Sequence, residues 1–268
     1  MKQIAFTILL ITILLSCGRS PVLEVRSGEL QMSIDPQTGG RIGSLTYRGV
    51  GFLKTERDSQ NLQWGSTVWP APQSAWRWPP PKLMDQGEYE VVEATANRII
   101  LRSQPNVYQG LQVEKSFVPI GTDTIRVTYT FINQGPDSLR TGIWENARVP
   151  LQGEASWEAS ENPPDSIPGW KESGSQTRLQ LGAHLQKHKL FIKATAPGIR
   201  HELNGLVLER TWSPFTSDGI APGQAPIEIY YDPFAQFAEL EIQGPYEVLA
   251  PGDQTILEVY WTVRPGKP

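Results

Sequence analysis

The chain has 268 residues and a formal net charge of −4, with 24 Lys and Arg set against 28 Asp and Glu. It contains no basic run that could neutralise a phosphate backbone, so the composition argues against a nucleic-acid partner. Only one cysteine is present, which excludes an internal disulfide as a source of stability.

The N-terminus has the features of a membrane-targeting signal. A positive charge at Lys2 precedes an apolar run over residues 4–15, which is too short for a comfortable membrane span and has the shape of a secretory signal. The run ends in "LLSC", which resembles the lipobox of bacterial lipoproteins, where the cysteine is diacylated. We therefore predict a signal peptide over residues 1–17, lipidation of Cys17, and a location in the cell envelope, on the periplasmic or surface side. Gly18 gives no inner-membrane retention signal, which favours the outer membrane; the alternative is an ordinary signal peptide that contains a cysteine.

After the signal peptide, apolar residues recur with a period of two. "TIRVTYTFIN" alternates Ile125, Val127, Tyr129 and Phe131 with polar residues, and "ILEVYWTV" repeats the pattern near the C-terminus. Turn signals rich in Pro and Gly separate these and similar short runs, and no long 3.6-residue periodicity is present. The pattern indicates at least ten antiparallel strands. We predict an all-β fold, a sandwich or barrel with roughly 40% strand or more.

The mature chain is best described as one domain. At about 250 residues it could form one large core or two small ones, but no composition break or Gly/Ser linker divides it. We predict a tether over residues 18–24 and a single domain over residues 25–268. Residues 153–180, rich in Ser, Glu, Pro and Gly, indicate a long excursion from the strands.

Two segments resemble a known fold. "SIDPQTGGRIGSLTYRGVGFL", residues 33–53, resembles the opening hairpin of galactose-mutarotase-like proteins, and "FAELEIQGPYEVLAPGDQTILEVYWTV", residues 237–263, resembles the end of that fold. "WPAPQ" and "FVPIGTDTIRVTYTFINQG" resemble an uncharacterised branch of the superfamily, a domain family without an assigned function. The likeness covers nearly all of residues 23–264. It implies a large antiparallel β-sandwich, a supersandwich, in which the concave face of one curved sheet holds a sugar; Arg41 of "GGRI" is included as a candidate sugar-binding residue.

Strand parity predicts which side chains face that concave surface. Such a strand buries one set of side chains between the sheets and offers the other set to a ligand. In "AELEIQ", Leu240 and Ile242 suit the core, and in "IWENARV" Glu145 is an exception that falls on the core side. The residues predicted to share the open face are Trp144, Asn146, Arg148, Glu228, Tyr230, Glu239 and Glu241. The alternative is a solvated outer face.

A second candidate region is "VWPAPQSAWRWPPP", residues 68–81, with three tryptophans, five prolines and one arginine. This composition cannot form a helix and is unfavourable for a strand, so we predict a proline-stiffened loop at the rim of the concave face. Trp69, Trp76 and Trp78 would stack on sugar rings, and Gln73 and Arg77 would bind hydroxyls or a carboxylate. The alternative is a hydrophobic lid over the sheet edge, and at least one of the three rings is expected to be buried.

The resemblance to mutarotases implies a general acid, commonly histidine, and a glutamate base. The three histidines, His184, His188 and His201, match no family motif, so the catalytic candidates are Glu241 and Glu239, with an arginine as electrophile. Their spacing on one strand would also suit the paired carboxylates of a retaining glycosidase. A glycine and nearby lysines argue against a zinc site at the first two histidines, and we predict no metal and no cofactor.

Two functions remain open at this point. The first is a lipid-anchored protein that binds a mono- or oligosaccharide without chemistry; the second is a carbohydrate-active enzyme of the aldose-1-epimerase (mutarotase) type with a glutamate base. A third, ranked lower, is a structural envelope protein that packs against a partner. Nine tryptophans and eight tyrosines suit sugar stacking, although such rings also fill cores. The expected partners are carbohydrate and the membrane, with no nucleic acid, and the protein is expected to be a monomer.

Overall fold

The computed structural model describes residues 22–57, 59, 62–159, 167–173, 176–214 and 219–266. Cys17, the predicted signal peptide and most of the predicted tether lie outside these residues. Strands make up 60% and helices 4% of the described chain, which confirms the all-β prediction. In this part of the chain no helix is both long and apolar enough to cross a membrane.

The described residues form nineteen strands and two short helices. In chain order the strands are β1 (Leu23–Ser27), β2 (Leu30–Asp35), β3 (Arg41–Tyr47), β4 (Val50–Gly51), β5 (Ser66–Ala71), β6 (Glu90–Thr95), β7 (Arg98–Arg102), β8 (Leu111–Pro119), β9 (Thr124–Asn133), β10 (Leu139–Pro150), β11 (Glu154–Ala159), β12 (Trp170–Ser173), β13 (Gln176–Gln180), β14 (His188–Ile192), β15 (Ala194–Leu203), β16 (Leu206–Trp212), β17 (Ile227–Asp232), β18 (Phe237–Leu249) and β19 (Gln254–Pro265). The helices are a 3-10 helix, Gln73–Ala75, and α1, Lys82–Gln86.

These strands form two antiparallel sheets. Within the described residues the first sheet has nine strands in the order β1-β2-β3-β5-β10-β18-β17-β14, with β4 paired to β3. The second sheet has ten strands in the order β12-β13-β11-β15-β16-β19-β9-β8-β7-β6. Buried apolar side chains from both sheets make up one large core, so the predicted sandwich is confirmed.

The period-two segments form strands with one buried face. In β9, Ile125, Val127, Tyr129 and Phe131 are buried, and the residues that alternate with them are half-buried. β19 pairs with β9, and Val259 lies opposite Val127 on the same inner face. Each large apolar side chain removed from water in this way contributes about 1.5–3 kcal/mol, so the alternation that predicts these strands also accounts for their packing.

The centre of the first sheet is buried on both faces. Nearly every residue of β10 and of the first half of β18 is buried. These two strands pair side by side, with Asn146 opposite Glu241 and Arg148 opposite Glu239. One face of the pair packs toward the second sheet, and the other is covered by polar and aromatic side chains, unlike a solvated antiparallel face. The buried polar side chains on that second face mark the candidate site.

Glu145, the exception in the predicted parity of β10, lies between the sheets as expected and is fully buried. Its Oε2 accepts a 2.5 Å hydrogen bond from Nη1 of Arg210 on β16 of the other sheet, and its Oε1 accepts one of 3.0 Å from Ser66. Arg210 Nη2 also donates to the Leu240 carbonyl at 2.6 Å. Burial raises the pKa of Glu145 although Arg210 and Ser66 oppose that shift. The exception is therefore an ion pair that joins the two sheets.

Part of the proline-rich segment is a strand, which corrects its prediction as a loop. Residues 68–71 complete β5, which pairs with β10 through Trp69 opposite Trp144 and Pro70 opposite Ile143. The pairing of β5 with β3 is confined to Ser66, so Pro70 lies where β5 has a partner on one side only. A strand tolerates a residue without an N–H group at such a position.

Two boundaries also differ from prediction. β1 begins at Leu23, inside the predicted tether over residues 18–24. The predicted excursion over residues 153–180 contains β11, β12 and β13 at one edge of the second sheet. In β11 and β13, Ala155, Trp157, Thr177 and Leu179 are buried, while the polar residues between them face outward. The outward polar residues dominate the composition of this segment, so the composition did not indicate that it contains strands.

Candidate functional site

A cleft of about 390 Å³ lies on the first sheet, on the face turned away from the core. Five adjacent strands, β5, β10, β18, β17 and β14, supply its floor. The residues lining it are Gln63, Trp69, Gln73, Trp78, Trp144, Lys187, Lys189, Tyr230, Glu239 and Glu241. The structure thus brings together seven of the residues that the sequence predicted for a sugar site.

Glu241 is the most deeply buried carboxyl group of the cleft wall. Its Oε2 accepts a 3.0 Å hydrogen bond from the indole N–H of Trp144, and its Oε1 lies 3.4 Å from the Asn146 amide nitrogen. Burial, reinforced by Glu239 and Glu228, raises the pKa of Glu241 well above its ordinary value. The Glu241 side chain has no exposed surface, so a ligand meets other polar groups first.

Lys189 on β14 is the cation at the centre of this group. Its Nζ lies 2.6 Å from Glu228 Oε2, 2.8 Å from Glu241 Oε2 and 4.4 Å from the centre of the Trp144 ring. Burial alone lowers the pKa of an ammonium group, but Glu241 and Glu228 outweigh it and raise the pKa of Lys189. Glu228, predicted for the open face, is fully buried beneath the lysine and accepts a 3.0 Å hydrogen bond from the Ala225 N–H.

Arg148 and Glu239 form the second ion pair of the site, 2.8 Å apart. Arg148 is fully buried, and its guanidinium lies 5.2 Å from the Trp69 ring centre. The prediction that Arg148 and Asn146 bind substrate is therefore corrected: both lie below the surface, where they hold Glu239 and Glu241. The Glu239 side chain keeps 11% of its surface exposed and can meet a ligand.

The tryptophans of residues 68–81 play different roles. Trp69 is buried; its indole N–H donates to Asp85 at 2.8 Å, and its ring lies edge-on to Trp144, 5.1 Å away. Trp78 packs edge-on against Trp69 at 6.0 Å but remains 47% exposed at the cleft. Trp76 packs on Trp69 and Trp144 and donates to the Pro70 carbonyl at 2.8 Å. The segment is therefore core at Trp69 and an accessible surface at Trp78.

Two residues of that segment differ from their predicted roles. Trp76 is half-buried in a small apolar cluster with Trp69, Ala71 and Trp144 and does not line the cleft. Arg77 is exposed and also lies outside the lining. Successive side chains of this loop point in different directions, so only some of them can face one ligand.

Arg41, predicted to bind sugar, is instead a fully buried structural residue. Its guanidinium lies 2.7 Å from Asp85 Oδ1 and donates to the Trp64 carbonyl at 2.9 Å. Burial lowers the pKa of Arg41 to about 10 despite the attraction of Asp85. Asp85 accepts hydrogen bonds from Arg41, Thr67 and Trp69. It thereby holds Trp69, a residue of the cleft wall, in position. It belongs to α1, directly after the prolines, and no periodic pattern points to it.

The histidines lie outside the cleft, and the described residues hold no group of His, Cys, Asp or Glu suited to a metal ion. His201 is buried; its Nε2 donates to the Gln152 carbonyl at 2.8 Å, and burial lowers its pKa to about 4. His184 and His188 are exposed. The cationic residues that line the cleft are therefore Lys187 and Lys189.

A larger groove, about 520 Å³, lies on the outer face of the second sheet. Its charged groups neutralise one another: Arg178 lies 3.2 Å from Glu154, and Arg200 lies 2.6 Å from Glu209 beside the groove. No aromatic ring is among its lining residues. Paired charges on a solvated sheet face explain this groove without a ligand, so the smaller cleft is the better candidate.

Lys187, Lys189 and Gln63 are the lining residues that sequence reasoning missed. In "HKLFI", Lys189 and Phe191 alternate with the buried Leu190 and Ile192. Lys189 and Phe191 therefore lie on the same face of the strand. That face becomes part of the cleft because β14 pairs with β17, with Lys189 opposite Tyr230. The local signal was present, but its meaning depended on a pairing between distant segments.

The charges of the site indicate what it can do chemically. Two cations, Lys189 and Arg148, are paired with three carboxyl groups, Glu228, Glu239 and Glu241, so the charges of the site offset one another. Such a site suits a neutral ligand with hydroxyl groups, because Glu239, Lys189 and the Gln73 amide offer both donors and acceptors beside exposed aromatic surface.

No protein-family model and no curated protein matches the chain, whereas solved structures do. A galactose mutarotase-like protein from Lactobacillus casei superposes with a TM-score of 0.62 at 12% identity, covering 91% of this chain and 100% of that one. An aldose epimerase homologue from C. elegans gives 0.59 at 12%, covering 92% and 99%. Galactose 1-epimerase from Lactobacillus acidophilus gives 0.55 at 8%, covering 90% and 93%. These likenesses show that the chain has the galactose-mutarotase-like fold.

Proposed function

We propose that this protein is a lipid-anchored cell-envelope protein that binds carbohydrate in the cleft of its first sheet. The observation that carries the proposal is that the accessible rings of Trp78 and Tyr230 line the same cleft as Glu239, Lys189 and Gln73. The C–H faces of a sugar ring pack on flat aromatic surfaces, and its hydroxyls need directional donors and acceptors. Similarity to proteins named as galactose 1-epimerase and galactose mutarotase-like supports a sugar as the ligand class.

The anchor rests on the sequence around Cys17. The lipobox resemblance and the uniqueness of this cysteine favour a lipidated chain in the cell envelope, probed by lipid labelling as described in the Discussion. The domain begins with β1 at Leu23, so only about five residues would separate the lipidated cysteine from the sandwich. An extended segment of that length spans at most about 18 Å, which would hold the domain close to the membrane surface.

A second function, sugar-ring opening of the mutarotase type, is favoured by one observation. Glu241 retains a proton to a higher pH than an ordinary carboxyl group, next to the cation of Lys189 and the ion-paired Glu239. Carboxyl groups whose environments differ in this way serve as acid and base. Lys189 would take the place of the usual histidine, as an electrophile. Because Glu241 has no exposed surface, this function requires the Lys189 side chain to move so that a sugar can contact Glu241.

A glycan array on the full-length protein in a non-glycosidic detergent tests the proposal. Titration calorimetry then measures the affinity of the sugars that bind, and polarimetry of freshly dissolved anomers measures ring opening. Glu241→Gln should keep most of the affinity if the protein only binds, and should abolish catalysed ring opening if it is an enzyme. Glu247→Gln is the matched control, because Glu247 lies on the same strand but is exposed outside the cleft.

The outcomes separate the two functions. Binding without acceleration of anomer exchange supports the binding protein. Acceleration that falls at least about 100-fold in Glu241→Gln supports the enzyme, since loss of a general acid or base costs about 10²–10⁴-fold. If none of the array sugars binds, the carbohydrate proposal is wrong.

A further inference from the structure

Two exposed aromatic side chains lie beside the two outermost strands of the cleft floor, β5 and β14. Trp78 and Phe191 are 47% and 55% exposed. Trp78 packs beside Trp69 of β5, with 6.0 Å between the ring centres. Phe191 belongs to β14, and Lys189 Nζ lies 5.6 Å from its ring. The residues on either side of Phe191 in β14 are buried in the core, so parity places its ring on the same face as the cleft.

The backbones of the two strands that support these rings, β5 and β14, are farther apart than one sugar ring. β5 and β14 are separated by β10, β18 and β17, so four strand spacings of about 4.8 Å put them about 19 Å apart. Between them lie the Trp144 ring and the Lys189 ammonium group, 4.4 Å from each other. A single sugar unit beside Lys189 and Glu239 does not span the distance between these two strands, whereas a chain of sugar units that crosses the strands does.

We infer that the ligand is an oligosaccharide of about three to five units that lies across the first sheet, perpendicular to its strands. A central unit contacts Lys189 and Glu239, and the outer units stack on Trp78 and Phe191. Stacking on both outer rings accounts for two large apolar side chains left in water on one face. The inference rests on the proposed carbohydrate binding and adds the length and direction of the ligand.

Ladders of cello-, laminari- and chito-oligosaccharides from one to six units test this inference by calorimetry on the full-length protein. The Kd should fall by about tenfold or more between one unit and four, and then change little. Trp78→Ala and Phe191→Ala should each weaken tetrasaccharide binding by about tenfold, and Phe191→Ala should leave monosaccharide binding unchanged. Trp78→Phe should restore most of the affinity.

Two control variants accompany the ladders. Arg77→Ala changes an exposed neighbour of Trp78 outside the cleft, and Ile256→Ala removes an exposed apolar side chain from the second sheet. Both should bind the tetrasaccharide like the wild type. A monosaccharide that binds as tightly as the hexasaccharide and depends on Glu239 would overturn the inference but leave the proposed function standing. Failure of every ladder member to bind would overturn both.

Discussion

Replacing Trp69 with alanine should destabilise the protein far more than replacing Trp78, although both belong to one fourteen-residue segment. Trp69 is 1% exposed, touches the rings of three other tryptophans and donates a hydrogen bond to the buried Asp85. Loss of a buried tryptophan ring costs about 3–5 kcal/mol because a cavity is left. The lost donor to Asp85 adds about 1 kcal/mol, so the free energy of unfolding should fall by about 4–6 kcal/mol.

For a chain of this size each kcal/mol corresponds to about 2–4 °C in Tm, so Trp69→Ala should melt at least about 8 °C below the wild type. Trp78→Ala, from a half-exposed position, should lose less than about 1 kcal/mol. Urea unfolding followed by far-UV circular dichroism measures both, and Trp69→Phe isolates the indole N–H. Equal losses in Trp69→Ala and Trp78→Ala would refute the division of the segment into core and accessible surface.

Three further predictions follow from other parts of the molecule. Arg210→Met should cost about 3–5 kcal/mol because Glu145 is left buried without its cation, and adding Glu145→Leu should recover most of the loss; a double variant no better than the single one would contradict this account. Burial lowers the pKa of His201 to about 4, and an unfolded histidine titrates near 6.5, so acidification from pH 6.5 to 4 protonates the unfolded chain first. Unfolding free energy should fall by about 3 kcal/mol over that range, and His201→Gln should remove that part of the pH dependence. Cys17→Ser should abolish palmitate labelling and leave an uncleaved or soluble form, whereas equal labelling of variant and wild type would disprove the lipid anchor.

The sandwich could be predicted because its strands carry one apolar face. In β9, Val127 and Phe131 alternate with polar residues, and that pattern survives in the sequence because solvent covers the other face. The same reasoning predicted that Glu239 and Glu241 lie on one face of β18 and Leu240 on the other face, and the structure agrees. Parity is a property of one strand, so it can be read without knowing the partners of that strand.

The chemistry of the cleft could not be predicted to the same depth, because it depends on pairings between distant segments. Lys189 reaches Glu241 only because β14 pairs with β17, which in turn pairs with β18. Arg41 was expected to face a sugar, but Asp85 of α1 draws its guanidinium into the interior. Neither contact has a local signal in the sequence, since the partners lie 52 and 44 residues apart.

The three tryptophans of residues 68–81 show that composition does not predict the direction of side chains even within a short segment. Composition indicated a rigid aromatic segment, but not which ring would be accessible. Trp76 turns into an apolar cluster and donates to the Pro70 carbonyl, while Trp78, two residues later, stays exposed at the cleft. Loop side chains have no fixed periodicity, so their directions depend on the surrounding structure.

The most direct test of carbohydrate binding in the cleft is an NMR titration that follows the indole N–H signals of the full-length protein. Trp69, Trp78 and Trp144 line the cleft, whereas Trp157 and Trp261 are fully buried in the core between the sheets and serve as internal controls. With a sugar identified by the array, the signals of the cleft tryptophans should shift in a saturable way while those of the two core tryptophans stay in place. Saturable binding that leaves the Trp78 and Trp144 signals unchanged would contradict the proposed site.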